Sequence, residues 1–271
     1  MQIQDIQKDI RVFVGDTLEG VSTAFIHGDE AILVDAMASE EDANSLRTLV
    51  CDEMGKTVRA IIVSHYMSDH IAGLKLFPEA RIIAHRHHMH TFMSQGARTE
   101  VEHGEFVAPT VTFGDSLSFA WGRHQFDLFH NPGHTMSTIT VDVPTADLVI
   151  TGDNVVGNIS YISSSTPELL DAALAKLESL KRGRVVGGHM GALPRSVFGN
   201  ARRYLRRLEA RVREIQRDSA QEQHDQRIRA IQVSECIEPG IRATDFETHW
   251  HGRNLEVILT RKIFPDLPGR G

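Results

Sequence analysis

Short apolar runs and helical periodicities alternate along the first part of the chain. Apolar runs bounded by turn residues predict strands, and apolar residues three or four apart predict amphipathic helices. The pattern predicts strands over residues 11–14, 21–26 and 31–35, then a helix over about 40–53 and a buried strand over 58–63. This alternation of strand, helix and buried strand favours a layered α/β fold.

The middle of the chain returns to strands after two short helical segments. We expect a short helix over 72–77, a strand over 80–84 and a helical stretch over 85–93. Strands follow over 107–143, where residues 139–143 alternate between apolar and polar as a half-buried strand does. This region therefore adds further strands to the α/β pattern.

Helices are predicted to dominate after residue 165. The first has Thr166 as its N-cap and Pro167 at its first helical position, and Gly183 is expected to end it. A long amphipathic helix is predicted from about 195 to beyond 217, and a further helix over about 245–258.

Length and composition are those of an ordinary globular enzyme. The 271 residues can build a substantial core, with 41% hydrophobic and 24% charged residues. The sequence contains no obvious linker or repeat, so we expect a single domain over 1–271 in which 195–271 is a mainly helical C-terminal region. Cys51 and Cys236 cannot provide a disulfide framework, and we expect free thiols.

Charge and hydropathy narrow the range of partners. A formal net charge of -7 argues against bulk attraction to nucleic acid or anionic lipid. Residues 1–9 do not resemble a signal peptide and no apolar run could cross a bilayer, so a cytoplasmic location is expected. Glu209 and Glu214 lie among the arginines of the long helix, which favours a solvated face or a homodimer contact. We predict a small-molecule substrate, with no nucleic acid and no membrane as partner.

Histidines and aspartates follow the ends of four apolar, strand-like runs, at 61–64, 126–129, 148–150 and 184–186. Strand ends that deliver imidazoles and carboxylates to one edge of a sheet form a rigid metal site. We therefore interpret the set as metal ligands. The candidates are His65, Asp69, His70, His134, Asp153 and His189.

In order and spacing, these clusters resemble the metallo-β-lactamase-fold superfamily. The resemblance covers roughly residues 10–195. It rests on the segments 65–70, 132–135, 151–153 and 187–189, and on the strand end at Asp35. The resemblance implies an α/β fold, an αββα sandwich of two mixed β-sheets flanked by helices. The metals would lie in a shallow cleft at one edge of the sheets.

The resemblance also implies which residues serve each of two adjacent metal positions. The first position would use His65 and His134, and the second Asp69, His70 and His189. Asp153 would bridge the two. Zinc is the expected ion, with iron or manganese as alternatives, at one or two ions per chain.

Met67 departs from the family pattern, which has a second histidine at this position of the His-x-His-x-Asp-His motif. A thioether is a poor substitute for imidazole on Zn²⁺, Fe²⁺ or Mn²⁺. The first position would keep His65, His134 and Asp153, two histidines and a carboxylate that can still hold iron. We expect this position to bind metal more weakly, or to be more selective for iron. Met67 itself is either a substituted ligand or a core-filling side chain.

The resemblance and the ligand set predict a hydrolase. A divalent metal lowers the pKa of water and polarises a carbonyl, and Asp69 or Asp153 could accept the water proton as a catalytic residue. The predicted substrate is a small ester-, lactone-, thioester- or amide-like molecule. Two alternatives stay open. One is an iron-dependent redox enzyme or oxygen-binding protein of the same fold, persulfide-dioxygenase-like or di-iron, and the other is a non-catalytic binding or sensing protein.

Further candidates lie outside the ligand set. Substrate contacts are expected beside the ligands and from a His-Trp-His segment in the tail: Tyr66, Met67, Asn154, His249, Trp250 and His251. The histidines of 85–90 are either a second metal tract or part of a partly exposed helix beside the cleft, and we favour the helix.

Overall fold

Two β-sheets pack against each other in the computed structural model, which describes residues 1–96, 106–218 and 221–264. Within these residues the first sheet has seven strands in sequential order: β1 (Gln2–Gln7), β2 (Ile10–Val14), β3 (Val21–His27), β4 (Glu30–Val34), β5 (Thr57–Ile62), β6 (Arg81–His85) and β7 (Val111–Phe113). Neighbours from β1 to β4 pair antiparallel, and those from β4 to β7 pair parallel. The sheet is therefore mixed.

The second sheet is also mixed. Its strands in the described part of the chain are β8 (Ser116–Trp121), β9 (His124–His130), β10 (Ile139–Val143), β11 (Leu148–Ile150), β12 (Arg184–Val186) and β13 (Ala192–Leu193). Their spatial order is β13-β12-β11-β10-β9-β8. Only the β11–β12 pair is parallel among these described strands, and the others are antiparallel.

The helices lie between and after these strands. They are α1 (Glu40–Arg47), α2 (Ser68–Ile71), α3 (His88–Thr91), α4 (Pro167–Ser179), α5 (Val197–Asp218), α6 (Gln221–Arg229), α7 (Val233–Cys236) and α8 (Asp245–Arg261). Wider π-helical turns continue α1 over Thr48–Glu53 and α3 over Phe92–Gly96. None of the described helices is long and apolar enough to cross a membrane.

Three apolar clusters separate four layers. On the outer face of the first sheet, Leu46 of α1 packs with Ile61 of β5. Between the sheets, Ile62 packs with Phe126 and Val141. Because β5 buries Ile61 on one side and Ile62 on the other, its sequence is a continuous apolar run rather than an alternating one.

The third cluster covers the outer face of the second sheet. Val149 of β11 and Val185 of β12 pack there with Leu170 of α4, Leu205 of α5 and Leu255 of α8. Helix, sheet, sheet and helix therefore follow one another through the molecule, and the predicted αββα sandwich is confirmed.

Helix α4 begins as the sequence predicts and ends earlier. The Thr166 side chain accepts a hydrogen bond from the Leu169 N–H, and Pro167 is the first helical residue. The expected stop at Gly183 is wrong, because Lys181 already has a φ of 56° in the left-handed region that ends helices. Gly183 lies beyond the helix, where its N–H donates to the Asp147 carboxylate.

Two segments around the first sheet also differ from the predictions. Residues 72–77 contain a short 3₁₀ turn, Leu74–Leu76, rather than an α-helix. His85 closes strand β6, so the helical stretch predicted from residue 85 begins at His88 instead. Strand β1 was not predicted, because its side chains are exposed or half-buried and form no apolar run.

The arginines of α5 pair with carboxylates of neighbouring helices. Arg202 contacts Asp171 of α4 at 2.9 Å, and Arg211 contacts Glu235 of α7 at 2.9 Å. Arg207 contacts Glu238, just after α7, at 3.2 Å. These partly exposed ion pairs link α5 to α4 and to the region of α7, and the absence of a nucleic-acid partner stays a prediction.

Candidate metal centre

The candidate ligands come together at the carboxyl ends of strands from both sheets. His65, Asp69 and His70 follow β5, His134 follows β9, Asp153 follows β11 and His189 follows β12. Their ligand atoms form two groups, each with all atoms within 4.8 Å of one another. The first group is His65, His134 and Asp153, and the second is Asp69, His70, Asp153 and His189. Asp153 belongs to both groups, the position in which a bridging ligand is expected.

The second group has the spacing of a tetrahedral site. His189 Nε2 lies 3.1 Å from Asp153 Oδ2 and 3.4 Å from Asp69 Oδ2, and His70 Nε2 lies 3.3 Å from Asp153 Oδ1. Ligands held tetrahedrally at 2.0–2.1 Å from a zinc ion are about 3.3 Å from one another. His70 Nε2 also lies 3.9 Å from Asp69 Oδ1, so three of the four separations need little change and the fourth must shorten for the group to bind such an ion.

The first group is wider. His65 Nε2 and His134 Nε2 each lie 3.9 Å from Asp153 Oδ2. Met67 is half-buried and packs against the apolar cluster on the outer face of the first sheet. That contact favours the core-filling interpretation of Met67, and leaves three ligands in this group.

The four imidazoles share one tautomer. Each Nδ1 is hydrogen-bonded away from the site: His65 to Ser64 Oγ at 3.0 Å, His70 to Asp35 Oδ2 at 3.1 Å, His134 to the Tyr161 carbonyl at 3.0 Å and His189 to the Leu18 carbonyl at 2.7 Å. Carbonyls and carboxylates only accept, so the Nδ1 atoms facing them carry the proton. Ser64 Oγ donates to Asp35 and so accepts from His65. All four Nε2 atoms are left to face the site, where an unprotonated Nε2 offers its lone pair.

These lone pairs make the residues fit a divalent cation. Nε2 of His65, His70 and His134 and Oδ1 of Asp153 are buried without a hydrogen-bond partner among the described residues. Acceptors that converge in a buried space without a donor are costly, and a cation bound by all of them removes that cost. Imidazole and carboxylate together suit zinc, iron or manganese.

Gly188 leaves space for the side chains of Asp153 and His70 in the second group. A Cβ at this position would overlap Asp153 Oδ1 and lie 2.7 Å from His70 Cε1. The glycine before the last ligand therefore allows Asp153 to reach the site.

The carboxylates of the second group stabilise positive charge on its imidazoles. Burial alone would lower the pKa of His189, but Asp153 outweighs it and raises the pKa to about 10. The pKa of His70 is also raised, because Asp153 and Asp69 outweigh the effect of burial. Burial would raise the pKa of Asp153, but His189 and His70 hold it well below its usual range. A cation at this point meets the same favourable field as these protons.

The imidazoles of the first group are neutral at physiological pH. Burial lowers the pKa of His65, with a further contribution from His70. Burial also lowers the pKa of His134. Neutral imidazole is the form that binds a metal, so this group is ready for one without releasing a proton.

Three of the candidate substrate contacts are better explained as supports of the fold. Tyr66 is buried in the apolar cluster on the outer face of the first sheet. The amide of Asn154 accepts from the His134 N–H at 2.8 Å and donates to the Asn131 carbonyl at 2.9 Å. His251 is buried with both ring nitrogens hydrogen-bonded, which leaves neither for a substrate. For these three residues the expected substrate contact is not supported by the geometry.

Trp250 remains a candidate for substrate contact. Its ring centroid lies 6.5 Å from that of His189 and 4.4 Å from that of Tyr161, and its side chain is half-buried. His249 is exposed and stands edge-on to Trp250. The first turns of α8 therefore lie beside the second ligand group, and substrate contact there stays a prediction.

The histidines of residues 85–90 do not assemble a second metal site in the described residues, where only the two groups at the sheet edge could hold an ion. His85 is buried and stacks on His130 at 3.9 Å between ring centroids. His88 is buried in α3, and His90 is exposed on it. The favoured interpretation, a partly exposed helix, agrees with this arrangement.

Comparison with known proteins decides the family. The family model of the metallo-beta-lactamase superfamily matches residues 11–189. The chain belongs to this superfamily. Membership and the ligand groups together support divalent-metal binding and a metal-dependent hydrolase in general terms.

Solved structures agree on the fold. A metallo-beta-lactamase from Pontibacter korlensis has a TM-score of 0.64 at 16% identity, over 76% of this chain and 98% of that one. The DIM-1 metallo-beta-lactamase has a TM-score of 0.62 at 16% identity, over 74% and 94%. At such identities the likeness concerns the fold alone.

One curated relative also matches part of the chain. The hydroxyacylglutathione hydrolase of Maricaulis maris (strain MCS10) is 25% identical over 133 residues, which are 48% of this chain and 46% of the relative. The match therefore spans about half the length of each protein, and the relative's activity enters below only as a proposal.

Proposed function

We propose that the protein is a metal-dependent hydrolase acting on a small ester-, lactone-, thioester- or amide-like substrate. The observation that carries this proposal is the convergence of four Nε2 atoms and two carboxylates at one sheet edge, where three of the Nε2 atoms are buried without a hydrogen-bond partner among the described residues. Outward hydrogen bonds at every Nδ1 hold these imidazoles in place. Preorganised ligands of this kind are typical of catalytic metal sites.

Each ligand group has its own part in the proposal. Asp69, His70, His189 and Asp153 would hold one cation, and His65, His134 and Asp153 a second, more weakly bound one. Zinc is the proposed ion, with iron or manganese as alternatives. A divalent cation supplies a Lewis acid that polarises a carbonyl oxygen and lowers the pKa of water.

Asp69 is the proposed proton acceptor. Its side chain is 13% exposed, whereas that of Asp153 is 6% exposed and those of the four histidines are at most 1% exposed. Burial would raise the pKa of Asp69, but His70 and His189 hold it well below its usual range. Asp69 is therefore ionised, and one of its oxygens can accept a hydrogen bond from water and orient it. The lowered pKa makes Asp69 a weak base, so its proposed role as proton acceptor rests on its exposure at the edge of the site. Asp153 holds the two groups together.

The substrate class is open to a direct experiment. The relative's name makes a hydroxyacylglutathione the first member of a panel, followed by a lactone, an aryl ester and a β-lactam. We expect zinc-reconstituted protein to hydrolyse at least one of them, and chelator-treated protein to lose that turnover. Asp153→Ala should not recover it on zinc addition, whereas Asp29→Ala, at an exposed turn, should behave as wild type. Full turnover without metal would refute the proposal.

The first ligand group supports a second candidate, an iron-dependent redox function. Two histidines and one carboxylate with open positions form the triad of non-haem iron oxygenases. Protein purified without added metal should then contain iron and consume oxygen with a persulfide. Stoichiometric zinc without iron in such protein would remove this candidate and leave the hydrolase.

A further inference from the structure

His134 depends on a segment without regular secondary structure for its orientation. Its Nδ1–H donates to the Tyr161 carbonyl at 3.0 Å, and residues 160–162 belong to no helix or strand. A carbonyl in such a segment can fix an imidazole only if another element holds the segment. The element that does so is α8.

Asn254 of α8 binds the same peptide group from its other end. Its Oδ1 accepts a hydrogen bond from the Ile162 N–H at 2.8 Å. The Tyr161 carbonyl and the Ile162 N–H are opposite ends of one planar trans peptide, so they point in opposite directions. Asn254 Nδ2 also donates to the Ser160 carbonyl at 2.7 Å. The amide therefore holds both peptide groups that flank Tyr161, and turns the Tyr161 carbonyl towards His134.

A buried chain of hydrogen bonds fixes the orientation of the Asn254 amide. His251 Nε2 lies 3.0 Å from the Ile231 carbonyl, which only accepts, so Nε2 carries the proton and Nδ1 is an acceptor. Tyr204 O–H therefore donates to His251 Nδ1 at 2.9 Å and accepts from Asn254 Nδ2 at 2.9 Å. The Asn254 oxygen is left to face Ile162.

The hydrogen bonds from His134 through Asn254 and Tyr204 to His251 all run in the same sense, with each donor pointing away from His134. Hydrogen bonds that run in one sense polarise and strengthen one another in a buried environment. Asn254 and Tyr204 are fully buried and His251 is 3% exposed, within the apolar cluster that includes Leu255. Buried polar groups are costly there unless they are paired, and the hydrogen bonds of Asn254, Tyr204 and His251 pair them.

We propose that Asn254 is a positioning residue for His134, so that α8 sets the ligand geometry of the first metal position. This inference rests on the proposed metal-dependent function and adds a remote residue to it. Asn254 touches neither the ligand atoms nor a substrate. It acts through the peptide between Tyr161 and Ile162.

The test compares Asn254→Leu with Leu255→Ala on the same helix. Leu255 is 3% exposed in the apolar cluster, so its truncation loosens α8 while leaving the hydrogen bonds intact. Zinc is titrated into metal-free protein in competition with a chromophoric chelator. We expect Asn254→Leu to weaken one zinc equivalent by about 10-fold, the lower end of the range for loss of a ligand's direct hydrogen-bond partner, because the Tyr161 carbonyl is freed to move rather than removed. Leu255→Ala should bind zinc as wild type does.

A spectroscopic readout and a milder variant keep the inference testable if Asn254→Leu fails to fold. Tyr204→Phe keeps the ring and removes one oxygen from the chain, so its zinc affinity should lie between those of wild type and Asn254→Leu. In ¹⁵N-histidine spectra of the metal-free protein, the His134 Nδ1–H signal should weaken in both variants and persist in Leu255→Ala. His134→Gln assigns the signal.

The outcomes separate this inference from the proposed function. If wild-type protein binds no divalent cation, both fail. If wild type binds zinc and the variants at Asn254 and Tyr204 bind it equally well with an unchanged His134 signal, only the positioning role fails. An equal loss in Leu255→Ala would also overturn it, because the effect would then be one of helix packing.

Discussion

Asp35 accepts a hydrogen bond from the Nδ1–H of His70 at 3.1 Å. The same carboxylate accepts from the Ser64 N–H and from Ser64 Oγ, both at 2.7 Å. Ser64 Oγ in turn accepts from His65 Nδ1 at 3.0 Å. One buried carboxylate thus orients an imidazole of each ligand group. Asp35 has a φ of 60°, a left-handed conformation that costs a non-glycine residue energy and is often found at functional sites.

Asp35→Asn should weaken metal binding without removing a ligand. An amide offers one acceptor oxygen, and its NH₂ group would face the donors of Ser64 or His70. We expect zinc affinity to fall about 10- to 100-fold, as for other partners of metal-binding histidines. Chelator competition measures this, with Asp29→Asn at an exposed turn as the matched control. Equal affinities in the two variants would show that Asp35 does not support the site.

Gly188→Ala should disturb the site through shape alone. Its Cβ would overlap Asp153 Oδ1 and crowd His70, so Asp153 must move away from its shared position. We expect reduced zinc stoichiometry by elemental analysis. Gly252→Ala is the control, because nothing lies within 4 Å of a Cβ there. Alanine inside α8 should also raise stability, by about 1 kcal/mol at most. Full zinc binding by Gly188→Ala would contradict the described packing.

Metal-free protein should lose stability as the pH rises above neutrality. Asp153 outweighs burial and raises the pKa of His189 from 6.5 to about 10. A raised pKa stabilises the fold fully below pH 6.5, and this contribution disappears as the pH rises through about 10. We expect the Tm of chelator-treated wild type to fall between pH 7 and 10, and the fall to be smaller in His189→Gln. Calorimetry at several pH values between 7 and 10 measures Tm for both proteins. An equal fall of Tm with pH in wild type and in His189→Gln would contradict the raised pKa of His189.

Met67→Leu should leave zinc binding unchanged. Met67 packs against an apolar cluster, leucine has a similar volume, and a thioether is a poor zinc ligand. The zinc affinity and zinc stoichiometry of Met67→Leu are measured beside those of wild type to test this expectation. A clear loss would instead place the Met67 sulfur among the ligands.

The six candidate ligands could be recognised from sequence because each follows an apolar, strand-like run. The tautomers of the histidines could not be predicted from sequence. The partners of Nδ1 include the main-chain carbonyls of Leu18 and Tyr161, and any residue type has such a carbonyl. The role of Asp35 was also hidden, since a strand-end aspartate shows neither its partners nor its backbone conformation.

The fold was predictable where burial sets the sequence pattern. Strand β5 and helix α4 follow from their apolar residues and from the Thr166 cap. Strand β1 was missed because Gln2–Gln7 lies at a sheet edge, where its side chains are exposed or half-buried. Asn254 was missed because its partners, Ile162 and Tyr204, are distant in sequence.

The metal content of the purified protein is the decisive measurement for the two ligand groups. Wild-type protein and Asp153→Ala are purified, reconstituted with zinc, desalted and measured by elemental analysis, with Asp29→Ala as a control. Because Asp153 belongs to both ligand groups, we predict bound zinc in wild type and in Asp29→Ala, and a large loss of zinc in Asp153→Ala. Wild type without bound metal, or equal zinc in wild type and Asp153→Ala, would contradict this prediction.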